Sequence, residues 1–400
     1  MSTPDTPFIS RGDGQALFAG ADLFLRWMAP DDAATAALWH PDRFPVPAGV
    51  MRERIQQQLG DDPTQEATAQ RMIMCRRTDD RPLGSVLFAY ENERSCVLRF
   101  THDPNRSLDE RARIEAEVMQ MSLPFLIEKR NLMKVTTDHL GDHSLVRDTA
   151  KALGLRRCYR LREAFLHRGK RYDRVGYEFL NPFWVNLLGL PREMSEDAAT
   201  RTIPSHAPDL WQSTDPISPR AIVATGQVEL RTFEPADIEL ASQSALRETE
   251  DFYPTGPPLR NPWSWGQHME SIAREQSPSE LRFALVESAT QEHFGTIGVT
   301  HLDLFDGRGK ATVEIFRPDY RGRGFGGSAH QLLFEVLFGR LGLHMIYAWV
   351  SEFNLRSLAA TRKRGYREAG YLAWEDLSPT GYCGGFYLDF LASEWRAARR

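Results

Sequence analysis

The sequence predicts an α/β (α+β) protein built as two tandem domains, each a mixed, mostly antiparallel central sheet flanked by helices. Three observations carry this. Short apolar, β-branched runs bounded by Gly, Pro and Asp alternate with longer segments whose apolar residues recur every three or four positions. The pattern also occurs twice. Leu25, Arg26, Pro30 and Asp32 fall on Leu230, Arg231, Pro235 and Asp237 at a spacing of 205 (230 − 25), while Gly84, the strand at 134–143 and Gly154 fall on Gly295, 345–354 and Gly365 at 211 (295 − 84). Finally, one strand enters a helix through a turn holding Gly322, Gly324, Gly326 and Gly327.

In chain order, residues 1–20 read as a loose leader, too polar and too broken by Pro and Gly for a secretory signal. The first domain, 21–182, opens on Leu23–Asp32, a strand leading into a helix capped by Asp31 or Asp32. Residues 33–68 read mostly helical. Strands follow at 71–77, 85–90 and 96–100, then a helix over 108–130 with Ile114, Val118, Met121 and Leu123 apolar, a strand near 134–139 and a helix closed by Gly154. A hairpin turning at Gly169 closes the domain. Residues 183–226 form a linker whose Trp184, Val185, Leu187 and Leu188 can dock on either domain. The second domain, 227–400, repeats the plan.

Composition narrows the function. The 400 residues suffice for two to three domains, and 42% hydrophobic with 26% charged residues is ordinary for a globular chain. A net charge of −5 without a lysine-rich run argues against a nucleic-acid partner; Arg156, Arg157, Arg160 and Arg162 read as a solvated face. Cys75, Cys96, Cys158 and Cys383 show no C-x-x-C spacing and read as buried free thiols in a reducing compartment. No run of about 18 apolar residues suggests a membrane span. Cytoplasmic location and no metal site are the expectations.

The stretch Val313–Tyr366 carries the chemistry. Glycines at a strand-to-helix turn expose backbone N–H groups, and the helix N-terminus adds partial positive charge, so the turn is an anion cradle suited to phosphate or pyrophosphate. The helix is expected to start near Ser328, with Leu332, Leu333, Val336 and Leu337 on its buried face. Three phosphate loops compete. A Walker A loop needs a lysine where Ser328 stands. A dinucleotide fingerprint matches Gly322, Gly324 and Gly327 but needs a tighter turn than P-D-Y-R allows. The third is an acyl-CoA pyrophosphate loop. Arg321, Gly324 and Gly326 fit Q/R-x-x-G-x-G/A; Asn354 and Ser357 form N-x-x-S one strand later, and Gly365–Tyr366 follows. On these residues the chain resembles the GNAT acetyltransferases, most closely their RimJ/RimL-like branch, and the fold expectation becomes two tandem GNAT-like domains.

That resemblance implies an acetyl-CoA-dependent N-acetyltransferase acting on a primary amine, either a protein N-terminus or a small molecule. The alternative is an acyl-CoA-binding sensor or assembly protein without turnover. The resemblance places acetyl-CoA against Ile315, Phe316, Arg317, Arg321, Gly322, Arg323, Gly324, Phe325, Gly326, Gly327, Asn354 and Ser357, with N–H groups of Arg323 through Gly327 on the pyrophosphate and an N–H at Ile315–Arg317 facing the thioester oxygen. Ser357 is the donor to the leaving thiolate, or a helix-surface serine. Asn354 serves both as helix cap and pantetheine contact. Tyr366 reaches the same region or packs in the core. Glu314 is the candidate base, or a sheet-face carboxylate paired with an arginine. Glu248, Glu250, Asp251, Trp263 and Trp265 are candidates for the acceptor pocket. At the 211 spacing the loop falls on Glu110–Glu115 of the first domain, where glycine is lacking and Glu110, Glu115 and Glu117 oppose a pyrophosphate. That domain is expected to have lost cofactor chemistry and to act as an internal pseudo-dimer partner, in a monomer or homodimer.

Overall fold

The structure, a computed structural model, describes residues 16–39, 46–59, 69–92, 94–189, 221–240, 262–274, 278–378 and 381–399. The chain divides into two compact units, Met1–Cys158 with Arg174–Leu190, and Tyr159–Asp173 with Pro191–Arg400. Among the described residues no helix is long and apolar enough to cross a membrane. All four cysteines are buried free thiols, as expected.

In the first unit β1 (Ala16–Ala19), β2 (Leu23–Trp27), β3 (Ala69–Arg76), β4 (Pro82–Asn92), β5 (Ser95–His102) and β6 (Lys134–Leu140) lie side by side in that order, and β8 (Lys170–Leu180) follows β6. All pairs are antiparallel except β5 with β6. A parallel pair needs a crossover, and α3 (Leu108–Pro124) supplies it, ending in a π-turn at Phe125–Lys129. Successive strand residues face opposite ways. Met74 therefore joins the core under α3 with Leu98, Val118, Met119 and Val135, while Ile73 and Cys75 pack on the other face against α1 (Ala33–Ala36) and α2 (Ala48–Leu59). α4 (Ser144–Ala152) follows β6, and Gly154 closes it at φ +79°.

The second unit has the same strand order: β9 (Ala221–Ala224), β10 (Val228–Arg231), β11 (Leu281–Glu287), β12 (His293–Asp303), β13 (Arg308–Ile315), β14 (Met345–Ser351), β16 (Gly381–Leu391) and β15 (Arg367–Ser378). Again one pair, β13 with β14, is parallel. Its helices include α6 (Pro262–Arg274), α7 (Phe325–Phe334), α8 (Leu355–Lys363) and α9 (Ala392–Ala397); α5 (Pro182–Leu188) belongs to the first unit.

One local construction occurs in both units. Arg26 donates two hydrogen bonds to Asp32 (2.7 and 2.7 Å), which also accepts the Ala29 N–H. Arg231 does the same to Asp237 (2.6 and 2.9 Å), which accepts the Glu234 N–H. Asp32, one of the two acids read as the helix cap, thus takes a backbone N–H at the head of the turn and is also bound by Arg26, pinning the strand's end to the turn after it; Asp237 does the same in the second unit.

Four boundaries differ from expectation. β1 lies inside the stretch read as a leader, because Ala-Leu-Phe-Ala completes the sheet edge beside β2. β9 lies inside the stretch read as a linker and pairs with β10. Only Ala33–Ala36 and Ala48–Leu59 of 33–68 are α-helix; 40–45 and 60–68 lie outside the described residues. The tip of the hairpin made by β7 (Arg156–His167) and β8, residues 159–173, groups with the second unit, not the first. Its reason is charge. Asp389, fully buried on β16, accepts the Arg162 N–H (2.9 Å) and guanidinium (2.7 Å), and Arg162 also reaches Glu394 at 2.6 Å. Leu166 N–H goes to Asp306, and His344 meets Glu163 at 2.6 Å. The arginines read as a solvated face are therefore ion-paired: Arg156 with Glu178 as well as Arg162 with Asp389.

Candidate functional site

The site begins where two strands part. β13 and β14 pair at only three positions, Arg308 with Met345, Gly309 with Ile346 and Lys310 with Tyr347. β13 continues to Ile315 held by β12, and β14 continues to Ser351 held by β16. Beyond Lys310 and Tyr347 their facing edges have no strand partner among the described residues, so peptide groups there are available to an extended, amide-bearing molecule.

At the head of this gap the chain turns through Pro318–Tyr320 into the glycine loop and α7. Gly324 is the N-cap at φ +93°, a left-handed conformation that favours glycine. The helix therefore starts at Phe325, three residues before the expected Ser328. Leu332, Leu333, Val336 and Leu337 are buried as predicted. Gly327 and Ser328 N–H both donate to Gly324 O (2.8 and 3.1 Å). Gly327 therefore drops out of the expected cradle. Among the described residues the N–H groups of Gly322, Arg323, Gly324, Phe325 and Gly326 have no acceptor, and the loop from Gly322 to Gly324 is exposed. Five adjacent donors at a helix N-terminus form an anion site without further assistance.

Side chains fix this loop. Arg321 donates to Ile315 O (3.1 and 2.8 Å), tying the loop to the strand end. Gln227, which the sequence did not single out, bonds Ser328 Oγ (3.1 Å) and Arg323 O (3.4 Å). Tyr320 stacks on Phe294 at 4.5 Å and packs edge-on against Phe325. Arg323 lies over the Phe325 ring and donates to Asp319 O; among the described residues it makes no direct ion pair, although its charge reaches the Asp319 and Glu287 carboxylates. Arg317 is instead bound by Glu292 and Asp319.

The expected oxyanion donor narrows to one residue. Phe316 and Arg317 N–H both point to Phe294 O, at 2.9 and 3.4 Å. Along an antiparallel strand successive N–H groups alternate sides, so Ile315 N–H turns to the side β14 has left. Asn354 is the N-cap of α8, its Oδ1 accepting Ser357 N–H at 2.9 Å. Ser357 is half-buried, and its hydroxyl has no partner among the described residues. Tyr366 lies in the core against Phe334 and Phe390, its hydroxyl buried without a partner.

The two faces of β13 do different things. Ile315 Cδ1 lies 3.3 Å from where a Cβ on Gly326 would sit, so Ile315 faces α7. Its neighbours Glu314 and Phe316 face the other way, Glu314 half-buried opposite Thr296. There Phe316 and Trp265 form a buried pair with Ile238 and Met269 packed around it. His293, which no sequence signal marks, lies 5.7 Å from the Phe316 ring with Nε2 2.7 Å from Gly295 O; burial lowers its pKa. Trp265 is thus brought to the end of β13, whereas Trp263 is 70% exposed. Glu248, Glu250 and Asp251 lie outside the described residues.

The first unit also parts its parallel strands, after four pairs from Ser95–Lys134 to Leu98–Thr137. Its counterpart of the loop is not a loop. α3 starts at Leu108 behind a Ser107–Glu110 capping box, so Glu110–Glu115 is helix interior. The acids read as repelling an anion are occupied structurally. Glu117 accepts the N–H groups of Asp22 and Leu23. Glu115 is buried and bridges His102 Nε2 on β5 (2.7 Å) and His139 Nδ1 on β6 (2.5 Å), and Thr137 Oγ1 completes the row at 3.1 Å. Where the second unit offers N–H groups, the first is filled by a carboxylate and two imidazoles.

Burial alone would raise the Glu115 pKa; His139 and His102 outweigh it and hold the carboxyl down at about 2. An acid depressed in the folded state adds stability above its ordinary pKa of 4.5, and that stability is lost as pH falls from 4.5 towards 2. Glu115→Gln is expected to cost about 2 kcal/mol near neutral pH and to flatten the acid limb over that window, as read by urea denaturation at stepped pH.

Residues 227–367 match the family model described as the acetyltransferase (GNAT) domain. An uncharacterized N-acetyltransferase, YnaD, of Bacillus subtilis (strain 168) is 28% identical over 102 residues, which are 24% of this chain and 59% of that protein. The chain therefore spans somewhat over half the length of that curated relative. Among solved structures, the spermidine N-acetyltransferase of Vibrio cholerae in complex with CoA and spermine aligns with 43% of this chain and 99% of its own, at 19% identity and a TM-score of 0.39. A chimera of the Vibrio cholerae enzyme SpeG with hSSAT aligns with 44% and 99%, at 20% identity and 0.39.

Proposed function

We propose that the second unit is an acetyl-CoA-dependent N-acetyltransferase of a primary amine, and that the first unit is a duplicated copy whose donor site has closed. The carrying observation is the run of five N–H groups, Gly322 to Gly326, that are unbonded among the described residues, at the head of the gap between β13 and β14. The match of residues 227–367 to the GNAT domain supports the reading. So does the recurrence of strand order and of the Arg–Asp construction in both units.

The residues fit the donor. Cβ atoms added at Gly322 and Gly327 would meet nothing within 4 Å, so the loop surface is open to a phosphate group. Acetyl-CoA supplies an acyl thioester with a good leaving group. The loop N–H groups and Arg323 hold its pyrophosphate. Free edge groups of β13 and β14 hold the extended arm, and Ile315 N–H faces charge developing on the thioester oxygen. Ser357 Oγ is the donor towards the departing sulfur. Glu314, on the face shared with Phe316 and Trp265, takes a proton from the acceptor's ammonium, directly or through water, and the neutral amine so formed attacks the thioester carbon as the bond to sulfur breaks. The acceptor is an amine reaching this face, a peptide N-terminus or a small molecule.

A thiol-release assay with acetyl-CoA over a panel of peptides, polyamines and aminoglycosides tests this reading. Release dependent on one acceptor class is expected. CoA binding with no release from any amine supports the sensor reading instead.

A further inference from the structure

Arg364 is a cation without a counter-ion. It directly follows α8. Its side chain runs back between α8 and α7, so that Nη2 lies 3.3 Å from where a Cβ on Gly326 would stand, in the first turn of α7. Ile315 Cδ1 closes the same spot. The guanidinium makes no hydrogen bond or ion pair among the described residues. Among the described residues the groups facing it are uncharged: Ile315 from β13, buried His330 from α7, whose ring donates to Gly326 O, and Tyr366, whose buried hydroxyl has no partner there. Burial lowers the Arg364 pKa, and burial with Arg364 beside it puts His330 well below its ordinary value, so His330 is neutral.

An unpaired, partly desolvated cation is costly, and an apolar side chain of similar length would fill the space between the helices more cheaply. What lies next to this cation is the run of free N–H groups at the start of α7, to which Gly326 belongs. Gly326 is the residue whose missing Cβ leaves room for it. We propose that Arg364 is a further anion-binding residue of the acyl-donor site, its guanidinium approaching from the α8 side to neutralise a phosphoryl group held by the loop N–H groups. This inference rests on the acetyl-CoA reading and adds to it a charge from outside the loop. It also gives Arg364 an opposed effect on the two states: without an anion it weakens the fold, and with one it strengthens binding.

The test compares wild type, Arg364→Met and Arg364→Lys as full-length chains, by calorimetry with CoA and by thermal unfolding with and without inorganic pyrophosphate. Removing a charge-assisted contact is expected to raise the CoA Kd of Arg364→Met about tenfold or more. Its Tm without ligand should be equal to or above that of wild type, and pyrophosphate should raise the Tm of wild type more than that of the variant. Arg364→Lys should recover part of the affinity. CoA affinity in Arg364→Met within twofold of wild type overturns the inference and leaves the acetyl-CoA reading standing. So does a fall in Tm with pyrophosphate protection unchanged, which marks a packing role. If wild type itself binds no CoA, the parent reading fails and this inference with it.

Discussion

Gly324→Glu is expected to abolish the proposed CoA binding and to leave the protein folded. Gly324 caps α7 at φ +93° and ψ −18°, and a non-glycine residue in that conformation costs about 1–2 kcal/mol. Little steric cost is added, because the nearest atom to a Cβ is Gln227 Oε1 at 3.9 Å. The new carboxylate, however, stands among the free N–H groups that would hold the pyrophosphate, and competes with it both by charge and by hydrogen bonding. At least a hundredfold loss of affinity is expected, with Tm within a few degrees of wild type. Gly324→Ala, which carries the backbone strain without the charge, separates the two effects and should lose far less. Saturable CoA binding by Gly324→Glu with unchanged affinity would place the donor elsewhere.

Arg162→Ala is expected to destabilise the second unit although residue 162 stands before its strands in the chain. Asp389 is fully buried and is held by Arg162 and by Arg367, which reaches it at 2.7 and 3.1 Å. Breaking a buried ion pair by removing one partner costs about 3–5 kcal/mol; with Arg367 left in place, about 2–3 kcal/mol is expected. Glu394 loses its arginine partner in the same substitution and keeps the Leu391 N–H. Denaturation should show the loss in the transition that also removes CoA binding. A shift confined to a transition that leaves CoA binding intact would contradict the assignment of 159–173 to the second unit.

The strands and the glycine loop were legible because their signals are local: β-branched runs with turn residues between them, and glycines where a strand meets a helix. The buried face of α7 followed from its spacing. Its start did not, because the capping conformation of Gly324 depends on the loop's path and Ser328 imitates a capping residue. The hairpin's allegiance was hidden because Arg162 and Asp389 are 227 residues apart, and neither is unusual in its own neighbourhood. Glu115 looked like a repulsive loop residue since nothing in the sequence ties it to His102 or His139. Arg364 in a charged run reads as surface, and only packing against Gly326 shows otherwise. Asn354 was legible in its capping role because that role is local; its partner Ser357 N–H lies three residues on.

The most direct measurement is a calorimetric titration of the full chain with CoA, reporting stoichiometry as well as affinity. Among the described residues the second unit offers five free N–H groups at the head of parted strands, while the corresponding place in the first holds the Glu115 bridge between His102 and His139. One CoA per chain, lost in Gly324→Glu and retained in Glu115→Gln, is the predicted result. Two equivalent sites per chain, or no heat of binding at millimolar CoA, would contradict it.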